Sequence, residues 1–209
     1  MKNQEKVEEN KNLAIENIKN RYNALKNQTN PHFLFNSLNS LDGLIGYDDK
    51  RAHEYVMQLS SVFRYTLQEL SVVKLSDELK FVKSYIYLIK IRYREAISVD
   101  IQIPDIYPDY YILPVALQTL VENAVKHNVA SLKKPLHLFI KMTKDNVIIV
   151  ENNIQPKLDV EEGYGLGLSN LNERYWLMFR QNINIQADDH VFRVEIPLIK
   201  NLNKHVKKN

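Results

Sequence analysis

The chain has 209 residues, 44% of them hydrophobic, and 28 basic against 25 acidic side chains give a net charge of +3. That is apolar material for one large or two small cores, and the absence of cysteine excludes a disulfide framework, thiolate catalysis and cysteine-ligated zinc together. No run approaches the roughly 20 apolar residues of a spanning helix, because even residues 111–121 are broken by Pro114 and Gln118, and no stretch reads as a signal peptide.

Residues 1–28 are polar and helix-forming, with a thin apolar stripe through Val7, Leu13, Ile15, Ile18, Tyr22 and Leu25. A stripe that narrow suits a two-helix seam better than a globular face. Its rhythm runs on to Thr29 and His32, so Pro31 stands inside a helical pattern, where it kinks the helix or starts a new one. His32 is presented at that irregular point, with Asn36 one turn later on the same face and able to orient the imidazole. An unprotonated imidazole nitrogen is a serviceable nucleophile near neutral pH. The pattern continues through Phe35, Leu38 and Leu41 and is interrupted at Asp42-Gly43, Gly46 and Asp48-Asp49. A second helix is predicted over 52–70, folding back on the first as a hairpin. One hairpin leaves an apolar face uncovered, so two copies are expected to form a four-helix bundle in a homodimer.

Val72 to Leu75 forms a short apolar bridge, and Ser76-Asp77-Glu78 reads as an N-cap followed by two first-turn acids. That places a domain boundary at 73/74 and predicts a helix to about residue 95. Ile97, Val99, Ile101 and Ile103 alternate with polar residues as in a strand with one buried face. A mostly apolar helix follows over 113–128, then a hairpin over 136–142 and 147–151. Another helix is expected from the Gly163–Gly167 region to about residue 180, and a last hairpin over 183–187 and 191–196. The order predicts an α+β chain: a helical hairpin followed by an α/β sandwich with helices on one face of a mixed sheet. The tail over 201–209 is basic and reads as a solvated end rather than an arm for nucleic acid.

Within the helix over 113–128, Thr119, Asn123 and Lys126 or His127 share one stripe. Polar groups on an otherwise buried helix need partners, and these are either structural or a ligand. An amide oxygen suits Mg²⁺, while lysine and imidazole suit phosphate oxygens. Only five glycines occur in the chain, and three stand at Gly163, Gly165 and Gly167, where a loop runs into a helix N-terminus able to attract phosphate. It is neither a Walker A nor a Rossmann fingerprint.

The run Asn30-Pro31-His32-Phe33-Leu34-Phe35-Asn36-Ser37-Leu38-Asn39-Ser40-Leu41 strongly resembles the phospho-acceptor box of the LytS/YehU-type sensor histidine kinases of two-component systems. The resemblance implies that His32 accepts a phosphoryl group. Leu59 to Tyr65 resembles the family's second dimerisation helix, and Leu117 to Asn128 the N-box of GHKL-type ATPases. The latter implies Asn123 as a Mg²⁺ ligand, Lys126 and His127 near the phosphates of ATP, and Glu122 holding a metal-bound water. Gly163 to Leu171 resembles the glycine box and ATP lid, with Gly163, Gly165, Gly167 and Leu168 at the nucleotide. One element departs: the family's Asp-Asn-Gly-x-Gly reads Asn152-Asn153-Ile154-Gln155-Pro156, placing Asn152 where an aspartate meets the adenine amino group. An asparagine could also turn its N–H₂ toward a purine, which predicts poorer discrimination between adenine and guanine.

These features imply a signalling helix over 1–28, a dimerisation and phosphotransfer hairpin over 29–73, and an ATP-binding domain over 74–200. The expected protein is the cytoplasmic core of an inner-membrane sensor, anchored through a region absent from these residues. It autophosphorylates His32 from Mg-ATP and passes the phosphoryl group to a receiver domain of a response regulator. The alternatives are a catalytically impaired dimeric pseudokinase, which the departure at Asn152 favours, and a GHKL ATPase of the chaperone or mismatch-repair kind, which would need no histidine box.

Overall fold

The computed structural model describes residues 31–68, 70–104, 109–157 and 166–200. The expected helix over 1–28, the Gly163 and Gly165 positions, and the tail over 201–209 lie outside them. Helix α1 spans Pro31–Asp42 and α2 Asp49–Thr66. The turn between them uses a positive φ of 77° at Gly46, and Asp48 caps α2 by accepting from the Arg51 N–H at 3.0 Å. That cap is why α2 begins three residues ahead of the expected start. Phe33 near the start of α1 meets Phe63 near the end of α2, ring centroids 6.3 Å apart, so the two helices run antiparallel. Phe33 also lies 5.4 Å from the ring of Tyr85 on the next helix. Tyr55, Leu59 and Val62 of α2 face inward, whereas Phe35, Leu38, Val56 and Met57 remain exposed on the hairpin.

Helix α3 (Leu75–Tyr93) starts before the expected cap: Ser76 lies inside it, and the flanking Lys74 makes no side-chain cap. The cause is a two-stranded ribbon that the sequence does not announce, β1 (Val73–Lys74) antiparallel to β3 (Tyr111–Ile112). Its continuation lets the Leu75 N–H donate to the Tyr110 carbonyl at 2.8 Å. A short 3₁₀ turn, Arg94–Ala96, leads into β2 (Ile97–Gln102). Helix α4 (Ala116–His127) is followed by β4 (Leu136–Met142), β5 (Val147–Asn153), α5 (Leu166–Phe179), β6 (Asn184–Ala187) and β7 (Val191–Pro197). Pro114 and a left-handed Val115 delay α4 relative to the expected start.

The five-stranded sheet has the order β2-β4-β5-β7-β6, with β2 parallel to β4 and every other pairing antiparallel. Its inner face, through Leu136, Leu138, Ile140, Ile148, Val150, Val194 and Ile196, is buried against α3, α4 and α5. Tyr175 and Phe179 of α5, ring centroids 5.5 Å apart, close that layer. The outer face carries an ion-pair cluster, Glu151 between Lys141 at 3.2 Å and Arg193 at 2.9 Å, beside the apolar Phe139 and Ile149. The expected mixed sheet with helices on one face is therefore what forms. The same buried cluster continues without a break into α2, because Tyr65 stacks on Phe81 of α3 with centroids 4.1 Å apart.

Candidate functional site

Helix α4 buries Leu117, Leu120, Val121, Ala124 and Val125 against the sheet and α3. Thr119 and Asn123 on the opposite stripe are half-buried, and Lys126 is exposed. The Thr119 hydroxyl donates back to the Val115 carbonyl at 2.8 Å, which turns its methyl outward. Gly167 in the first turn of α5 lies against that methyl: a Cβ there would stand 3.6 Å from Thr119 Cγ2. The fold thus brings the helix N-terminus after the glycine-rich segment alongside the Thr119–Asn123 stripe. The neighbouring Leu168 is buried in the core.

Glu122 points away from this stripe, toward α3. Gln118 Nε2 donates to it at 3.4 Å, and its charge adds to burial in raising the Tyr85 hydroxyl above its usual range. Phe33 also packs against Tyr85, so the first turn of α1, which carries His32 four residues before Asn36, is joined to α4 through one aromatic ring. Asn36 is half-buried, and its carbonyl accepts from Ser40 Oγ at 2.9 Å.

The C-terminal end of α4 is tied to the segment after β5. Lys157 Nζ donates to the carbonyls of Val125 and Lys126, both at 3.0 Å, where a cation complements the helix dipole. Buried Asn128 donates to the Ala124 carbonyl at 2.9 Å and accepts from the Gln155 N–H at 2.6 Å. Burial, with the charges of Lys126 and Lys157, lowers the His127 pKa below 6.5 and keeps the imidazole neutral at physiological pH. Neither Lys157 nor Asn128 has a sequence signal for these roles beyond its residue type.

Asn152 sits on the inner face of β5 and is 3% exposed. Its Nδ2 donates to the Asn153 carbonyl at 2.8 Å. A carbonyl can only be faced by the N–H₂ end of the amide, so Oδ1 points the other way. One of the two amide hydrogens is thus committed to the Asn153 carbonyl. Asn153 and Gln155 anchor the same segment, each donating a side-chain amide to the Pro135 carbonyl, at 3.1 and 2.8 Å.

The sequence reading overlooked Glu78. Read there as a first-turn acid, it is 0% exposed. Its Oε2 accepts from the Tyr65 hydroxyl at 2.6 Å and the Val115 N–H at 3.0 Å, and its Oε1 from the Leu117 N–H at 2.9 Å. Burial pushes this carboxyl up to about 7, and the three donors pull it back. Burial and the charge of Glu78 raise Tyr65 far above its ordinary range, so that hydroxyl stays protonated and donates.

Chemically, the donor set fits a magnesium-bound nucleotide. Asn123 offers a hard amide oxygen, Lys126 and the N–H groups opening α5 offer positive charge, and Asn152 on the inner face of β5 has an amide oxygen not engaged by the Asn153 carbonyl. Among the described residues no cluster of three or more His, Cys, Asp or Glu side chains could hold a metal ion. No helix among the described residues is long and apolar enough to cross a membrane.

A family model described as histidine kinase matches residues 20–97. The sensor histidine kinase/phosphatase LytS of Staphylococcus aureus (strain Mu50 / ATCC 700699) is 31% identical over 183 residues, covering 79% of this chain and 31% of that protein. LytS of strain NCTC 8325 / PS 47 matches with the same identity and coverage. The chain thus spans about a third of the length of the curated relatives it matches. Among solved structures, the cytoplasmic segment of histidine kinase QseC matches at a TM-score of 0.46 and 20% identity, covering 73% of this chain and 95% of that one. The catalytic domain of histidine kinase ThkA in a nucleotide-free form matches at 0.43 and 19%, covering 64% and 100%.

Proposed function

Since the chain belongs to the histidine kinase family, we propose that its residues 74–200 bind Mg-ATP and that the phosphoryl group is transferred to His32 in the hairpin over 29–73. The observation that carries this reading is the contact of Gly167, in the first turn of α5, with Thr119, which lies one helical turn before Asn123 on the same stripe of α4. Asn123 would ligate the metal, Lys126 and the α5 N-terminus would neutralise phosphate charge, and Asn152 Oδ1 would accept from the adenine amino group. Bound Mg²⁺ supplies charge neutralisation during phosphoryl transfer, and the chain supplies positioning. A neutral His127 adds a hydrogen bond rather than a charge. No acid directly follows His32, and Asn36 orients the imidazole without taking its proton.

The phosphorylated histidine would then serve a receiver domain of a response regulator. The dimer would form through the face holding Phe35, Leu38, Val56 and Met57, which the described chain leaves uncovered. The whole protein would be a membrane sensor, with these residues on its cytoplasmic side. A second reading, an impaired pseudokinase, is favoured by the amide-anchored segment Asn152 to Gln155 standing where the family carries glycines. Incubation with γ-labelled ATP separates them. Acid-labile phosphoprotein supports the kinase, no reaction the pseudokinase, and free phosphate without phosphoprotein overturns both.

A further inference from the structure

Helix α4 begins at a residue ill-suited to begin it. Val115, its N-terminal flank, adopts φ 67° and ψ 9°, a left-handed conformation that a β-branched side chain disfavours, and its apolar side chain cannot cap. The cap comes from elsewhere: Glu78 of α3 takes the N–H groups of Val115 and Leu117 on its two oxygens. The preceding carbonyl, of Pro114, accepts from Arg174 of α5 at 3.3 Å. A strained turn is thus held from two neighbouring helices, and the carboxylate that holds it has its third donor on α2, the Tyr65 hydroxyl. Asn123 lies six residues beyond Leu117, about 9 Å along the axis, so the seat of the first turn sets where its amide points.

We propose that Glu78 is the positioning residue for α4, and that Tyr65 is the handle by which the helical hairpin acts on that helix. This rests on the reading of α4 as the nucleotide helix. While α2 keeps its hydroxyl on Glu78, both carboxylate oxygens are aimed at α4 and the turn at Val115 holds. When α2 shifts, the buried carboxylate is left one donor short. Its hold on Val115 loosens on the oxygen that the two donors share. Movement of the hairpin is thereby read at the stripe carrying Thr119 and Asn123.

The test uses the 209-residue chain and four variants, of which Asn123→Ala checks the nucleotide reading itself. Glu78→Gln replaces one acceptor by a donor, Tyr65→Phe removes only the hydroxyl, and Leu79→Ala truncates a neighbouring buried side chain of α3 while leaving the bonds of Glu78 and Tyr65 in place. Binding of Mg-AMPPNP is measured by calorimetry, and amide hydrogen exchange is followed at Val115 and Leu117. We expect Glu78→Gln to weaken binding about tenfold or more and Tyr65→Phe about threefold, both with faster exchange at the two amides. Leu79→Ala, at a comparable drop in melting temperature, should change neither by more than about twofold. Wild-type affinity and unchanged exchange in Tyr65→Phe and Glu78→Gln would overturn the proposal, as would an equal loss in Leu79→Ala. Should Glu78→Gln fail to fold, Tyr65→Phe decides. If the wild-type chain binds no Mg-AMPPNP, or Asn123→Ala binds as well as wild type, the nucleotide reading fails, and the exchange rates still decide whether Glu78 and Tyr65 position α4.

Discussion

Ionising Glu78 should cost folding stability, and the pH window and size of that cost follow from its surroundings. The folded chain holds this carboxyl up to about 7, against an ordinary value of 4.5. Burial is the largest cause, opposed in turn by the Tyr65 hydroxyl, the Leu117 and Val115 N–H groups and the Arg174 guanidinium. Between the two values the unfolded chain has released its proton and the folded chain has not, so raising the pH favours unfolding. The contribution is fully present below about pH 4.5, is lost as pH rises, and is gone above about 7. At about 1.4 kcal/mol per pH unit the whole gap corresponds to about 3 kcal/mol, and most of it falls between pH 5 and pH 8. Equilibrium urea denaturation of wild type and Glu78→Gln at those two pH values isolates it, because groups common to both proteins cancel in the difference. His127 is one such group and has the opposite sign, its lowered pKa making stability rise with pH below about 6.5. The wild type should lose about 2 to 3 kcal/mol more than the variant between pH 5 and pH 8. A difference of zero, or a wild type that gains relative to the variant, would show that the three donors outweigh burial and that the carboxyl is ionised well below neutrality.

Other expectations are simpler. His32→Gln should abolish labelling from γ-labelled ATP while leaving nucleotide binding intact, and label that persists at His53 or His127 would refute the assignment. Asn123→Ala should remove the Mg²⁺ dependence of nucleotide binding, and calorimetry with and without the metal reads this directly. Light scattering should find a dimer at tens of micromolar, and Leu38→Glu with Met57→Lys should yield monomers with an unchanged circular dichroism spectrum; a monomeric wild type would exclude the bundle.

Where a side chain's neighbours lie within a few residues, the chain's organisation is legible from its order. The alternation of Ile97, Val99 and Ile101 and the paired runs of β4–β5 and β6–β7 are local patterns, and each strand forms where its pattern lies. The ribbon of Val73–Lys74 with Tyr111–Ile112 could not be seen, because a two-residue strand shows no period and its partner lies almost forty positions away. Glu78 misleads for the same reason. After Ser76 and Asp77 it has the look of an N-terminal acid, yet its acceptor role is set by backbone donors at Val115 and Leu117. Val115 itself carries no hint of a left-handed backbone, since tertiary contacts impose on it a conformation its side chain resists. For the candidate site, the stripe of Thr119 and Asn123 was visible as helical spacing, but its neighbour Gly167 became one only through the packing of α5.

Asn152 changes meaning once its bond to the Asn153 carbonyl is taken into account. On residue type alone, an aspartate there would hold adenine more tightly by about 1 kcal/mol, the gain of a charge-assisted over a neutral acceptor. In the fold, Asn152→Asp also puts a carboxylate oxygen where Nδ2 now donates, 2.8 Å from a carbonyl oxygen, at a site 3% exposed. Losing that bond and burying a charge without a donor costs about 1 to 3 kcal/mol. The variant should therefore melt at a lower temperature than wild type without ligand. It should gain more than wild type from added Mg-ATP, whose amino group would give the carboxylate a partner. GTP, which presents a carbonyl oxygen at that position of the purine, should produce no comparable rise in either protein, since wild-type Asn152 turns its Nδ2 to the Asn153 carbonyl and the variant's carboxylate carries no donor. Thermal shift with each nucleotide reads all of this in one series. If Asn152→Asp melts like wild type and responds to ATP no more than to GTP, the side chain does not face the base, and adenine would have to be held by another group on the inner face of β5 or not at all.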